Sequence, residues 1–235
     1  MDFESELLPG TLIRRYKRFF AEILLDSGDT IIAHCANTGA MTGCAEPGFR
    51  VWVSPANNPK RKLQYTWELV ENQRGELIGI NTNRANKIVS HALKHQLIPE
   101  LAAFDIVRPE YKPDGAASRF DFLLRQTNNT EQCLLEVKSL TLCEQHTGYF
   151  PDAVTTRGAK HCNELASLRS DSQRCVLLFC VQHTGVEKVT VAEHIDPAYA
   201  SALRHAVDNG LEVMAYLCSI TQEKIFINQK LTIAL

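Results

Sequence analysis

RFDFLLRQTNNTEQCLLEVKS, residues 119 to 139, sets an aspartate, a glutamate and a lysine in two runs that otherwise read as buried strand. Between the runs QTNNTE is rich in turn formers, with Asn128 and Asn129 at its centre. Asparagine side chains bond their own backbone and tolerate left-handed conformations, so the stretch predicts an antiparallel hairpin. Folding it about that apex sets Phe122 opposite Leu135, Phe120 opposite Val137 and Leu124 opposite Cys133, one wholly apolar face. Side chains alternate across a strand. The other face therefore carries Asp121, Leu123, Leu134, Glu136 and Lys138, with Asp121 directly across from Glu136.

Opposed residues in such a pair lie roughly 5 Å apart at Cβ. Two carboxylates that close raise one another's pKa unless a cation sits between them. A hard divalent ion, Mg²⁺ or Mn²⁺, resolves the conflict, because it takes oxygen ligands from one or two carboxylates and from substrate phosphate. Lys138 on the same face reaches a phosphate or an attacking water but is no metal ligand while protonated. This chemistry suits metal-assisted phosphodiester cleavage. The same residues suit equally well a solvated surface hairpin in which Glu136 pairs with Lys138 for little energy. Glu110, in Glu110-Tyr111-Lys112, is a candidate further carboxylate from the preceding helix or loop; Pro109 and Pro113 beside it argue against a central strand there.

Outward from the hairpin the periodicities divide the chain near residues 80 to 86. Residues 11 to 80 are short strand-like runs broken by turns, the pattern of a small barrel or sandwich. From residue 83 the pattern reads helix, two strands, helix, strand, helix, strand, an α/β domain with a partly parallel sheet. NRANKIVSHALKHQLI gives the first helix. DAVTTRGAKHCNELASL gives the second, entered through Pro151 with Asp152 as its N-cap. RCVLLFCVQ is a continuous apolar run of buried-strand length. DPAYASALRHAVDNG is the third helix, with Asp196 at the N-cap, Pro197 at the first helical position and Gly210 just past the end. LEVMAYLCSI closes the pattern as a strand.

Bulk composition adds exclusions. The chain has 235 residues, 45% hydrophobic and 22% charged, ordinary values for a protein with a core. The acidic start MDFESELLPG is neither a signal nor a transit peptide, and no run approaches the ~20 apolar residues of a membrane helix. The expectation is a soluble, cytoplasmic protein with no membrane partner. No two of the eight cysteines have two residues between them, and several sit in apolar runs, which favours buried thiols over zinc. His91 and His95 have the spacing of a metal pair but no evident third ligand, and ordinary helix histidines are the better reading. A net charge of -2 does not advertise nucleic-acid binding, which must then rest on a local patch.

Such a patch is present. Residues 11 to 62 hold eight Lys or Arg (Arg14, Arg15, Lys17, Arg18, Arg50, Lys60, Arg61, Lys62) against four acids. In a barrel this suits a phosphate-tracking groove, with Tyr16, Phe19, Trp52, Tyr65 and Trp67 as candidate stacking platforms; for each aromatic singly, the barrel core is the favoured place. On the second helix Arg157, Lys160, His161 and Glu164 share a face, which suits equally a solvated surface and, if the helix flanks a nuclease-like site, the presentation of Arg157 and Lys160 to DNA.

The chain resembles the sugar fermentation stimulation protein A family over essentially its whole length. The resemblance rests on RRYKRFFAEI (14 to 23), HCANTGAMTGC (34 to 44), KRKLQYTWEL (60 to 69), SRFDF with LLEVKS, GYFPDAVTTRGAKH (148 to 161) and HIDPAYASAL (194 to 203). It implies an N-terminal OB-like barrel over residues 1 to 82 and a PD-(D/E)xK nuclease-like domain over 83 to 235, the latter a restriction-endonuclease-like αβββαβ core with a mixed sheet. It implies DNA binding without sequence preference and a regulatory role in maltose metabolism. Asp121, Glu136 and Lys138 match the motif's first acid, second acid and lysine; Phe120 stands where the motif's name has proline. Whether the site cuts is left open by the resemblance, since a regulatory protein can keep a nuclease fold. The HCANTGAMTGC segment reads only as tight turns or a backbone approach to a ligand.

Overall fold

The computed structural model describes residues 1–235. The first half builds β1 (Leu8–Tyr16), β2 (Phe20–Leu25), β3 (Thr30–His34), β4 (Arg50–Pro55), β5 (Tyr65–Glu71) and β6 (Leu77–Gly79). Neighbours pair in the order β3-β2-β1-β4-β5-β6, and a parallel pairing of β3 with β5 closes the first five into a barrel. Closure removes the sheet edges that a five-stranded ribbon would otherwise expose. Trp67 fills the barrel core, its indole N–H satisfied by the Leu69 carbonyl at 2.9 Å. Phe19 departs from the core expectation: it sits beside the tight β1–β2 turn, where Lys17 and Arg18 take positive φ, and is 45% exposed.

The second half comprises α1 (Arg84–Lys94), β7 (Phe104–Tyr111), β8 (Phe120–Gln126), β9 (Gln132–Leu140), β10 (Leu142–Glu144), β11 (Thr147–Phe150), α2 (Thr156–Leu168), β12 (Gln173–Val181), β13 (Lys188–Val191), α3 (Pro197–Asp208), β14 (Glu212–Ile220), β15 (Ile225–Lys230) and β16 (Thr232–Ala234). A six-stranded sheet runs β15-β14-β12-β9-β8-β7, parallel at β14–β12–β9 and antiparallel elsewhere. Helix α1 covers one face, while α2 and α3 cover the other. The apolar run of β12 lies near the sheet's centre, where both faces are covered. Asp196 caps α3 by accepting from the Tyr199 N–H at 2.9 Å. The cap of α2 is Thr155, accepting from Gly158 N–H at 3.0 Å, and not Asp152, which lies three residues too early to reach the first turn.

Two elements lay outside the pattern read from sequence. Strand β7 is the edge of the main sheet, so Pro109 costs no ladder bond on its outer side, and Glu110 belongs to a strand instead of a helix or loop. A second sheet, β10-β11-β13-β16, assembles short strands from distant parts of the chain.

The halves are joined by a common core and by backbone. Leu7, Trp52 and Leu69 from the first half pack in one cluster with Ile88, Val89 and Leu93 of α1 and with Leu135 and Leu178 of the main sheet. Gly79 N–H donates to the Gln182 carbonyl at 2.8 Å, and Ile78 bridges to His183. A Cβ on Gly79 would meet the Gln182 side chain at 2.8 Å, so the approach needs glycine.

His183 is buried at this seam, with its Nδ1 accepting from the Gly185 N–H. Burial pushes its imidazole down to about 4, despite nearby Glu76, which acts in the opposite direction. The unfolded chain then binds a proton that the folded one refuses between pH ~6.5 and ~4. Stability therefore falls as pH drops through that window, by about 3 kcal/mol in all from this one group. Urea melts of wild type and His183→Gln across pH 4 to 7 should show a shallower acid slope in the variant; equal slopes would refute the assignment.

Candidate functional site

The predicted hairpin forms, with Phe122 opposite Leu135 and Leu124 opposite Cys133 as expected. Asn129 closes its turn by accepting from Glu131 N–H at 2.6 Å. The register ends at Phe122. Phe120 does not face Val137 within one apolar surface: it joins Leu123 and Leu134 against α2, while Phe122 and Val137 join the α1 side. On the neighbouring strand Glu110 takes a φ of 51° and Tyr111 pairs with Phe120. The two strands of the hairpin thus separate where the acids sit.

Asp121 and Glu136 are held by different partners. Asp121 accepts from Asn86 of α1 and from the Val137 backbone N–H, both at 2.7 Å. Glu136, 4% exposed, accepts at one oxygen, Oε1, from Lys138 Nζ and from His161 Nδ1, each at 2.6 Å. Oε2 is left without a protein donor. On the far side of the imidazole, Arg157 Nε donates to His161 Nε2 at 3.4 Å. That donation makes Nε2 the acceptor and Nδ1 the protonated nitrogen, which fixes the tautomer that can donate to Glu136.

The two acids differ electrostatically. Burial first, then the charge on Glu136, pushes the Asp121 carboxyl up to about 6. Burial acts on Glu136 in the same direction, but the His161 hydrogen bond and the Lys138 ammonium outweigh it and hold that carboxyl below its ordinary value. A like-charged pair resolved this way takes up its first proton on Asp121 as the pH falls through about 6. A cation bound between the acids would compete with that proton.

No three metal-ligating side chains converge, so Glu110 does not complete a carboxylate set with Asp121 and Glu136. It lines a separate groove with Asp121, between α1 and β7. His91 and His95 stack on each other, ring centroids 4.3 Å apart, and belong to no metal cluster.

The family described as "SfsA N-terminal OB domain" matches residues 13–80, and "Sugar fermentation stimulation protein RE domain" matches residues 83–224. A sugar fermentation stimulation protein homolog of Pseudoalteromonas atlantica is 54% identical over 231 residues, 98% of either chain. One from Alteromonas mediterranea is 51% identical over the full length of both. The chain belongs to the sugar fermentation stimulation protein family. Among solved structures, Pyrococcus furiosus SfsA in complex with Ca²⁺ superposes with a TM-score of 0.89 at 25% identity, covering 100% of this chain and 98% of that one.

Within this family member the basic residues divide into groups. Arg14 pairs with Glu22 at 2.6 Å on the barrel surface. Arg15 serves the fold, donating to the carbonyls of Arg18, Asn37 and Gly39. Lys17 and Arg18 form the β1–β2 turn, and Arg18 faces a cleft that also receives Lys138 and Arg157. Lys60, Arg61 and Lys62 lie on the β4–β5 loop, with Arg61 donating to Thr66. Lys160 lines a second depression with Arg157 and His161, on the α2 side. Of the helix-face residues, Glu164 is structural: it accepts from Ser118 N–H at 2.9 Å and so ties α2 to the segment entering β8.

The HCANTGAMTGC segment gains a role. Asn37, Thr38 and Gly39 line the same cleft as Lys138, and Met41 N–H donates to Asp152 Oδ2 at 3.4 Å. A Cβ on Gly39 would lie 2.0 Å from that carboxylate, which explains the glycine. The links Asn86–Asp121 and His161–Glu136 were invisible to sequence reasoning. His161 was legible only as one member of a helix face.

Proposed function

We propose that the protein binds DNA through its N-terminal barrel and hydrolyses phosphodiester bonds at Asp121, Glu136 and Lys138 with Mg²⁺ or Mn²⁺. The observation that carries this reading is a buried acid, Glu136, facing a half-buried one, Asp121, whose proton affinity is raised by desolvation and then by the Glu136 charge, beside a lysine fixed 2.6 Å from Glu136. Asp121 and Glu136 Oε2 fit a hard divalent cation, which is satisfied by one or two carboxylates with water and phosphate completing its shell. The Pyrococcus furiosus relative, described in complex with Ca²⁺, supports an oxygen-ligated cation here. A bound cation supplies an activated water and offsets charge on phosphorus.

The chain's own residues do the rest. Asn86 and the Val137 N–H orient Asp121. His161 holds Glu136 by Oε1 so that Oε2 points elsewhere, and Lys138 places its ammonium for a non-bridging phosphate oxygen. A second reading has one observation in its favour: Glu136 Oε1 is already taken by two donors, as in a site that only holds phosphates in a DNA-binding regulator of sugar (maltose) metabolism.

Cleavage of single- and double-stranded DNA in Mg²⁺, Mn²⁺ or EDTA separates the two. Metal-dependent cutting supports the nuclease; binding without cutting in any metal supports the regulator. The cation itself is tested by melting. At about 100 times its dissociation constant it should stabilise the protein by about 2.7 kcal/mol, or several degrees at this chain length. Asp121→Asn should lose most of that shift, and an unchanged shift in the variant would place the cation elsewhere.

A further inference from the structure

A cleft of about 560 Å³ opens between the barrel and the nuclease-like half, walled by Arg18 and the Asn37 to Gly39 backbone on one side and by Lys138, Tyr149, Val154 and Arg157 on the other. We propose that this cleft takes a single DNA strand in preference to a duplex, leading it past Lys138 with Arg18 and Arg157 on its phosphates and Tyr149 and Val154 against its bases. The proposal rests on the nuclease reading above and names the substrate class of that same site.

Three observations carry it. The first is size: the volume is that of a pocket enclosing a small organic ligand, comparable to one or two nucleotides, whereas a duplex would meet both walls at once. The walls are tied together. Asp152 of the second half accepts from Met41 of the first, Arg15 pins the Asn37 to Gly39 backbone, and Trp52 and Leu69 share a core with α1. The second is charge. Arg18, Lys138 and Arg157 face one carboxylate, Asp152, which is engaged by Met41 N–H and packed on Gly39. A cationic track of this kind follows a phosphate backbone. The third is the apolar component. Val154 is 71% exposed at the cleft, and half-buried Tyr149, whose ring packs T-shaped against His194, offers its remaining surface in the same wall. Exposed faces of this type receive the unstacked bases that only a single strand presents.

The test is fluorescence anisotropy of the full chain with a labelled 12-nucleotide DNA strand, the same sequence as RNA, and the blunt DNA duplex, all in EDTA so that no cutting intervenes. The single DNA strand should bind at least tenfold more tightly than the duplex. Arg18→Ala and Tyr149→Leu should each weaken it about five- to tenfold, with melting temperatures showing that both variants are folded. Arg18 lies on an exposed turn, so its variant remains informative if the β11 substitution fails to fold. Equal or tighter duplex binding, tighter RNA binding, or wild-type affinity in folded Arg18→Ala protein would each overturn the proposal. Failure to bind any nucleic acid would overturn the nuclease reading as well; duplex-preferring binding with intact cleavage would overturn this inference alone.

Discussion

Lys138→Ala protein should cleave DNA about 100- to 1,000-fold more slowly than wild type in Mg²⁺ or Mn²⁺, the usual cost of removing one preorganised charge from a developing oxyanion. The lysine is suited to that part because its position is not its own. Its side chain is 15% exposed and its ammonium is anchored on Glu136, which His161 anchors in turn. An amine held this way arrives at the phosphate already oriented and loses little entropy in the transition state. Lys138→Arg should rescue poorly, since a planar fork is a different shape from a compact ammonium. DNA binding, which the proposed cleft shares among Arg18, Lys138 and Arg157, should change by no more than a few fold in Lys138→Ala. A variant that binds less and cuts in proportion would make Lys138 a binding residue; one that cuts at the wild-type rate would remove it from the chemistry altogether.

The largest effect on stability is expected from Arg84→Ala, a loss of about 3–5 kcal/mol. Arg84 opens α1, and its guanidinium meets the carboxylate of Glu68 on β5 through two nitrogens, Nε at 2.5 Å and a terminal nitrogen at 2.8 Å. Glu68 is 2% exposed and also accepts from Ser54 and Asn81. Removing the arginine strands a charge that water cannot reach, which is why breaking such a pair costs far more than the pair contributes when intact. The double variant Glu68→Gln/Arg84→Met should recover much of the loss, and a double-mutant cycle should show strong coupling. At this chain length the single variant should melt roughly 6–20 °C lower. Melting within a degree of wild type would show that solvent enters the site and screens the pair.

How much of this was legible in the sequence depends on how far each signal reaches along the chain. Helix α3 was readable because Asp196, Pro197 and Gly210 act within one turn of where they stand. Strand β12 was readable because burial on both faces writes itself as an unbroken apolar run. The hairpin and its register followed from alternation and from Asn128-Asn129, but only up to Phe122, beyond which Phe120 pairs with Tyr111 of a strand distant in sequence. The second sheet escaped because β10, β11, β13 and β16 are three or four residues long and are specified by partners far away. The candidate site shows the same division. Its three charges were visible by spacing alone, whereas the residues that orient them, Asn86 and His161, are joined to them only by folding.

The core shared by Trp52, Leu69, α1 and the main sheet has an evolutionary consequence. The two halves share that core, so neither can be cut free of the other intact. A gene fragment encoding only one of them would present a large apolar scar to solvent, the kind of surface that invites aggregation. Recombination would rarely pass that test, so the pair should be inherited as one unit, its parts diverging together.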